Sequence, residues 1–230
     1  MTSPGRAADR PRRPRIAYAS GIAFVVTAVV AFFLAGGPDV GATNDEVVAY
    51  FRDNENAYRW QAFLFGLAAA FFVWFFGALA ARIRSVEVDP PSGVSPIVVL
   101  SSATTAALYV VGVAAWTGLA TTAQEDGATR ALFDFGEQAF ALSNFTAAAL
   151  VLAVAIAVMR TGFVADSPGW TGVILATFLV INGAVQMFND GDWANVMGYI
   201  AFLGFVAWTL LVSLLLTFER ERPALPAATA

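Results

Sequence analysis

Asn182 and Gln186 stand four residues apart in the apolar stretch TFLVINGAVQMF, so a helix puts both amides on one face. Thr171 and Asn189 fall near the same stripe. An amide facing lipid leaves its donors and acceptors unpaired, which is costly. These side chains are therefore expected to point inward. Asn144 belongs with them, in the run ALSNFTAAAL beside Ser143 and Thr146. In another run Ser101, Thr105 and Tyr109 recur every four residues, and Gly112 and Trp116 continue the line along one side. Two uses suit neutral groups so placed. The first is adhesion between helices, worth roughly 0.6–2 kcal/mol per contact. The second is a polar cavity formed by Ser101, Thr105, Tyr109, Asn144, Asn182 and Gln186, binding a small neutral or amphiphilic ligand. Adhesion is the first expectation, because such contacts are common in bundles.

A second set is acidic. Asp134, Glu137, Asp190 and Asp192 sit at the ends of apolar runs and would form a mouth if they converged. Converging carboxylates attract a hard cation or do acid–base work. NDGD is too short for a calcium loop, and an ordinary solvated acidic turn is the leading reading. The chain contains no Cys and no His. Disulfides, thiol nucleophiles and Cys or His metal sites are thereby excluded. No GxSxG, HExxH, P-loop or dinucleotide glycine pattern occurs. No catalytic residue, metal or cofactor is expected.

The elements that hold these residues follow from hydropathy. Of 230 residues 58% are hydrophobic and 13% charged, against about 25% charged in a soluble domain. The charges cluster between apolar runs of about 20 residues, the length that crosses a bilayer as a helix. The expected fold is all-α: a polytopic membrane bundle of six transmembrane helices plus a short amphipathic outer helix. The spans cover about 16–36, 60–81, 96–121, 138–159, 168–188 and 193–217, flanked by an Arg-rich tail over 1–15 and a second tail over 218–230. Ser95-Pro96 and Ser167-Pro168 read as N-caps followed by proline at the first helical position. No Asp, Glu, Lys or Arg falls inside these spans, which argues against proton relays and ion-coupled carriers.

Arginine placement predicts orientation. Five Arg lie in the first fifteen residues, and Arg82, Arg84, Arg160, Arg220 and Arg222 fall on the same side. Only Arg52, Arg59 and Arg130 fall on the other, together with eleven of the seventeen acidic residues. Both termini are thus expected in the cytoplasm of a bacterial cell, with a negative outer face. The first span reads as an uncleaved signal-anchor, being longer than a signal-peptide core. Outside it, Thr43 and Glu46 have capping-box spacing, and Val47, Val48 and Phe51 mark one helical face. That helix is expected as a lid packed over the bundle, the alternatives being one lying on the membrane surface or a docking element. Trp60, Trp116, Trp170 and Trp193 fall at predicted interfaces.

The stretches ATNDEVVAYFRDN, FFGALAARIR and SPGWTGVILA, with the late Trp208, give the chain a recognisable layout. It resembles a group of uncharacterised six-span integral membrane proteins from GC-rich Gram-positive bacteria. The resemblance covers most of the chain and implies the topology; it carries over no activity and no catalytic residue. The leading expectation is a non-enzymatic membrane component acting through helix contacts, with lipid and other membrane proteins, or copies of itself, as partners. The alternatives are a small transporter or binding protein for a neutral or lipophilic solute and, third, an enzyme using the outer carboxylates. Nucleic-acid binding is not expected, since the basic run is short and adjoins the membrane.

Overall fold

A computed structural model of the protein describes residues 15–38, 42–86, 93–122, 127–164, 166–188 and 192–218. The protein is all-helical, with no strand among the described residues. The helices are α1 (Arg15–Leu34), α2 (Asn44–Asp53), α3 (Glu55–Val86), α4 (Val94–Thr122), α5 (Gly127–Thr161), α6 (Ser167–Phe188) and α7 (Asp192–Thr217). All but α2 are long and apolar enough to cross a membrane. Their outward faces carry exposed Val26, Trp74, Leu100 and Ile174, a pattern that suits lipid and not water.

The six long helices form a ring. Each packs on its neighbours in chain order, and α7 returns to pack on α1. Two hydrogen bonds tie α7 in place. Ser213 Oγ donates to the Tyr18 carbonyl of α1 at 2.7 Å, and Trp208 Nε1 donates to the Pro168 carbonyl of α6 at 3.0 Å. At the first junction Gly21 leaves no room for a side chain: a Cβ there would lie 2.8 Å from Ser213 Cβ and 2.9 Å from the Phe75 ring. One half of the ring's interior is filled solidly. Phe75, Phe76, Leu79, Ile83, Val98, Leu150 and Val154 are fully buried there.

The helices run past the hydropathy limits. α5 begins at Gly127, not near Gln138, and α3 begins at Glu55, not Trp60. The added turns are polar yet helical. Arg59 pairs with Glu55 and Arg130 with Asp134, each across one turn, and such pairs support a helix outside the membrane. Ser95 is also placed differently from expectation. α4 starts at Val94 after Gly93 (φ 72°), so Ser95 lies inside the first turn and does not cap it. Its hydroxyl instead donates to the Ala80 carbonyl of α3 at 3.0 Å.

α2 is a lid. Val47, Val48 and Phe51 are buried, and Phe51 stacks on Tyr58 with ring centroids 4.7 Å apart. The helix covers the ends of α3, α4 and α5 and does not lie flat beside the bundle. Its capping box is complete: Glu46 N donates to Thr43 Oγ1, and Thr43 N donates to Glu46 Oε2 at 2.7 Å. The backbone N–H of Thr43, and then its hydroxyl, hold the Glu46 carboxyl below its ordinary value of 4.5. The cap's contribution is thus complete above about pH 4.5 and is lost as pH falls through the lowered value. Amide protection over residues 44–53, taken relative to the intrinsic exchange rate at each pH, should fall in that acidic window, and Thr43→Ala should lower it roughly fivefold at neutral pH. Unchanged exchange in the variant would mean that packing alone holds α2.

Candidate functional site

The other half of the ring is hollow. A vestibule of about 1050 Å³ opens between all six long helices toward the end that carries α2. Helical rise sets its depth. Glu137 at the rim and Ala147 near the bottom are ten residues apart on α5, hence about 15 Å.

The floor is made of three phenyl rings from three helices. Phe24 of α1 lies 5.0 Å from Phe72 of α3 and 6.4 Å from Phe205 of α7, and Phe72 lies 6.0 Å from Phe205 (ring centroids). Beneath them is the filled half of the ring. The vestibule is therefore blind: it admits a molecule from one end and offers no water-lined path through.

A polar band crosses the wall above the floor. Asn182 Nδ2 of α6 donates to Asn144 Oδ1 of α5 at 3.0 Å. Asn144 Nδ2 donates to Gln186 Oε1 of α6 at 3.3 Å and to the Phe140 carbonyl of its own helix at 3.0 Å. Nearby, Thr105 Oγ1 of α4 meets Thr146 Oγ1 of α5 at 2.8 Å. Asn182 is 1% exposed, and its Oδ1 has no partner. A buried acceptor left unpaired costs about 1–3 kcal/mol, so this atom marks a place where a donor would be welcome. The indole Nε1 of Trp116 is likewise unpaired; its ring edge packs on Gly136 and on the Phe133 ring, 6.0 Å away and parallel.

Of the six residues expected in a cavity, Thr105, Tyr109, Asn144, Asn182 and Gln186 line the vestibule. Ser101 does not. It is buried lower on α4 and donates to the Ile97 carbonyl one turn back. Tyr109 stands between Phe65 and Phe140, with centroids 5.3 and 5.1 Å away. The opposite wall is apolar, where Phe32 of α1 stacks on Phe202 of α7 at 4.1 Å.

Two of the four expected mouth carboxylates, Asp134 and Glu137, stand at the rim one turn apart on α5. Asp134 Oδ1 is 3.0 Å from Arg130 Nε, and Glu137 has no ion-pair partner among the described residues. Asn189 and Asp190 lie outside the described residues, as does the side chain of Asp192, the first residue of α7. Among the described residues no cluster of His, Cys, Asp and Glu forms a metal site.

Several features of the site were not anticipated from the sequence. Gln61 is 5% exposed and donates to the Ala31 and Ala35 carbonyls at 3.1 Å each. Together with Tyr58, which donates to the Gly36 carbonyl at 2.8 Å, it satisfies the open end of α1. A lone Gln at the start of a span was the available signal. Nothing in the local sequence signals that Phe24, Phe72 and Phe205 meet, since 48 and 133 residues separate them in order.

Comparison with models of known families, with curated proteins and with solved structures finds no match.

Proposed function

We propose that this chain is a membrane binding protein that takes up a small neutral or lipophilic molecule from the outer side of a bacterial plasma membrane. The observation that carries the reading is a blind vestibule walled by neutral amides in which one buried carbonyl oxygen, Asn182 Oδ1, has no partner. Adhesion alone would leave no such space behind the amides; packing would close on them. A binding site of this kind is concave, mostly apolar and carries a few placed polar groups.

The arginine bias puts both termini inside, which turns the vestibule mouth outward. The described rim then holds Asp134, paired with Arg130, and Glu137 without an ion pair, above a neutral interior. A blind floor suits capture, presentation or a carrier that must rearrange to release its load. The enzyme reading draws on Asp134 and Glu137, whose spacing on α5 is short enough for acid–base work. They stand at the exposed rim, with Glu137 about 10 Å along the helix from the amide band, so the binding reading takes precedence.

The test uses the absence of native thiols. Thr105→Cys places a single thiol low in the vestibule wall. A polar-lipid extract of the source membrane should slow its alkylation at least about fivefold, which corresponds to an occupied site. An equal rate with and without the extract, and with aqueous extract as well, would return the protein to a purely structural role. Sidedness is checked separately. Asn54→Cys should react with an impermeant reagent on intact cells, and Ser85→Cys should not.

A further inference from the structure

The amide ladder has a direction. The Phe140 carbonyl can only accept, so the nitrogen of Asn144 must face it, 3.0 Å away. Asn144 Oδ1 then faces Asn182 and receives its Nδ2. Asn144 Nδ2 is shared with Gln186 Oε1. Each amide thus donates onward along the ladder, and its two ends differ in character. The Asn182 end is an acceptor, Oδ1, buried without a partner on a residue that lines the vestibule. The Gln186 end is a donor: its Nε2 turns to α7, where Gly198 makes room. A Cβ on Gly198 would come within 2.7 Å of that nitrogen.

Asn182 and Gln186 are neighbours on one helix face, about 5–6 Å apart between Cβ atoms. A hydroxyl carries both a donor and an acceptor, so it can donate to the one end and accept from the other. An amide does the same with two atoms. A carboxylate brings acceptors only and leaves Asn182 Oδ1 unpaired. An ammonium brings donors only and would lie uncompensated among neutral groups, at high desolvation cost.

We infer that the vestibule's ligand is a neutral amphiphile with a hydroxyl or amide head, which bridges Asn182 Oδ1 and Gln186 Nε2, on an apolar ring-bearing body. Tyr109, Phe140 and the stacked Phe32 and Phe202 supply the aromatic surface for that body. The inference rests on the binding reading above and adds to it the chemistry of the head.

Four probes on one body test it: 4-hexylbenzyl alcohol, 4-hexylbenzamide, 4-hexylbenzoate and 4-hexylbenzylammonium, at about pH 7, where the last two are charged. Binding is measured as the rise in unfolding temperature of the protein in lipid nanodiscs, at a fixed probe-to-lipid ratio. The alcohol and amide are expected to bind about tenfold more tightly than either ion. Asn182→Leu should weaken the alcohol and amide about tenfold and leave the carboxylate unchanged, because the acceptor that only a donor-bearing head can meet is gone. Gly198→Ala, which displaces the Gln186 amide, should weaken the alcohol and amide about tenfold, weaken the carboxylate, which also accepts there, and leave the ammonium unchanged. It also serves if Asn182→Leu does not fold.

Equal binding of all four to the native protein, or tighter binding of an ion, would overturn the neutral head while leaving the vestibule a binding site. Alcohol and amide affinities unchanged in both variants would overturn the ladder as the cause of the selectivity. Binding of none of the four would overturn this inference and the binding reading together.

Discussion

Phe72→Ala should cost about 3–5 kcal/mol of unfolding free energy in mixed micelles, the usual range for deleting a buried phenyl ring. The ring is 3% exposed and touches Phe24, Phe76 and Phe205, from α1, its own helix and α7. Its loss removes the shared contact of three helices at once. No nearby side chain can swing in, because Phe75 and Phe76 are fully buried in the packing below. The floor should recede without opening. Vesicles carrying the variant should remain impermeable to small ions, since Leu79, Ile83 and Val154 still close the ring beneath. A loss below about 1 kcal/mol would mean that the three rings are not in mutual contact. Ion leak would mean that the filled half of the ring is not solid.

The second large effect is at the ladder's centre. Asn144→Leu removes the acceptor for Asn182 Nδ2 and the donor for Gln186 Oε1. Two bonds between helices of roughly 0.6–2 kcal/mol each are lost. Asn182, at 1% exposure, is then left with both polar ends bare. The expected loss is about 2–4 kcal/mol, with the vestibule's ligand protection lost as well. The double variant Asn144→Leu with Asn182→Leu should be milder than Asn144→Leu alone. Replacing both partners by apolar groups removes the unpaired atoms along with the bond. Strictly additive losses in the two variants would show that Asn144 and Asn182 are not bonded to each other.

Hydropathy and spacing carry much of this structure, and the places where they stop are physical. The limits of α1, α6 and α7 agree with the apolar runs to within a few residues, because those runs end where the helices end. α5 departs, since a helix can continue in water on i, i+4 pairs such as Arg130 with Asp134 while hydropathy falls. The capping box at Thr43 and Glu46 was legible because its two bonds lie within one turn. That Asn182 and Gln186 turn inward follows from the cost of exposing an amide to lipid. Which residue meets them does not follow, because Asn144 is 38 positions away from Asn182 and the register of two packed helices is a tertiary fact. Ser101 shows the limit of a shared face. It lies one turn beyond Thr105 on the same side of α4, yet the vestibule floor falls between the two levels. Residues that matter by lacking a side chain, such as Gly198 beside Gln186, carry no local signal at all.

The vestibule is a space open at one end and closed at the other. Single cysteines at Ala147, in the vestibule wall, and at Val151, in the packing one turn below, test this directly. In vesicles of known orientation, a small impermeant thiol reagent should modify Ala147→Cys when added on the α2 side and not when added on the opposite side. Val151→Cys should stay unmodified from both. Protection of Ala147→Cys from both sides would mean that the amides and rings pack together and no vestibule exists; modification of either cysteine from the far side would mean that it has no floor.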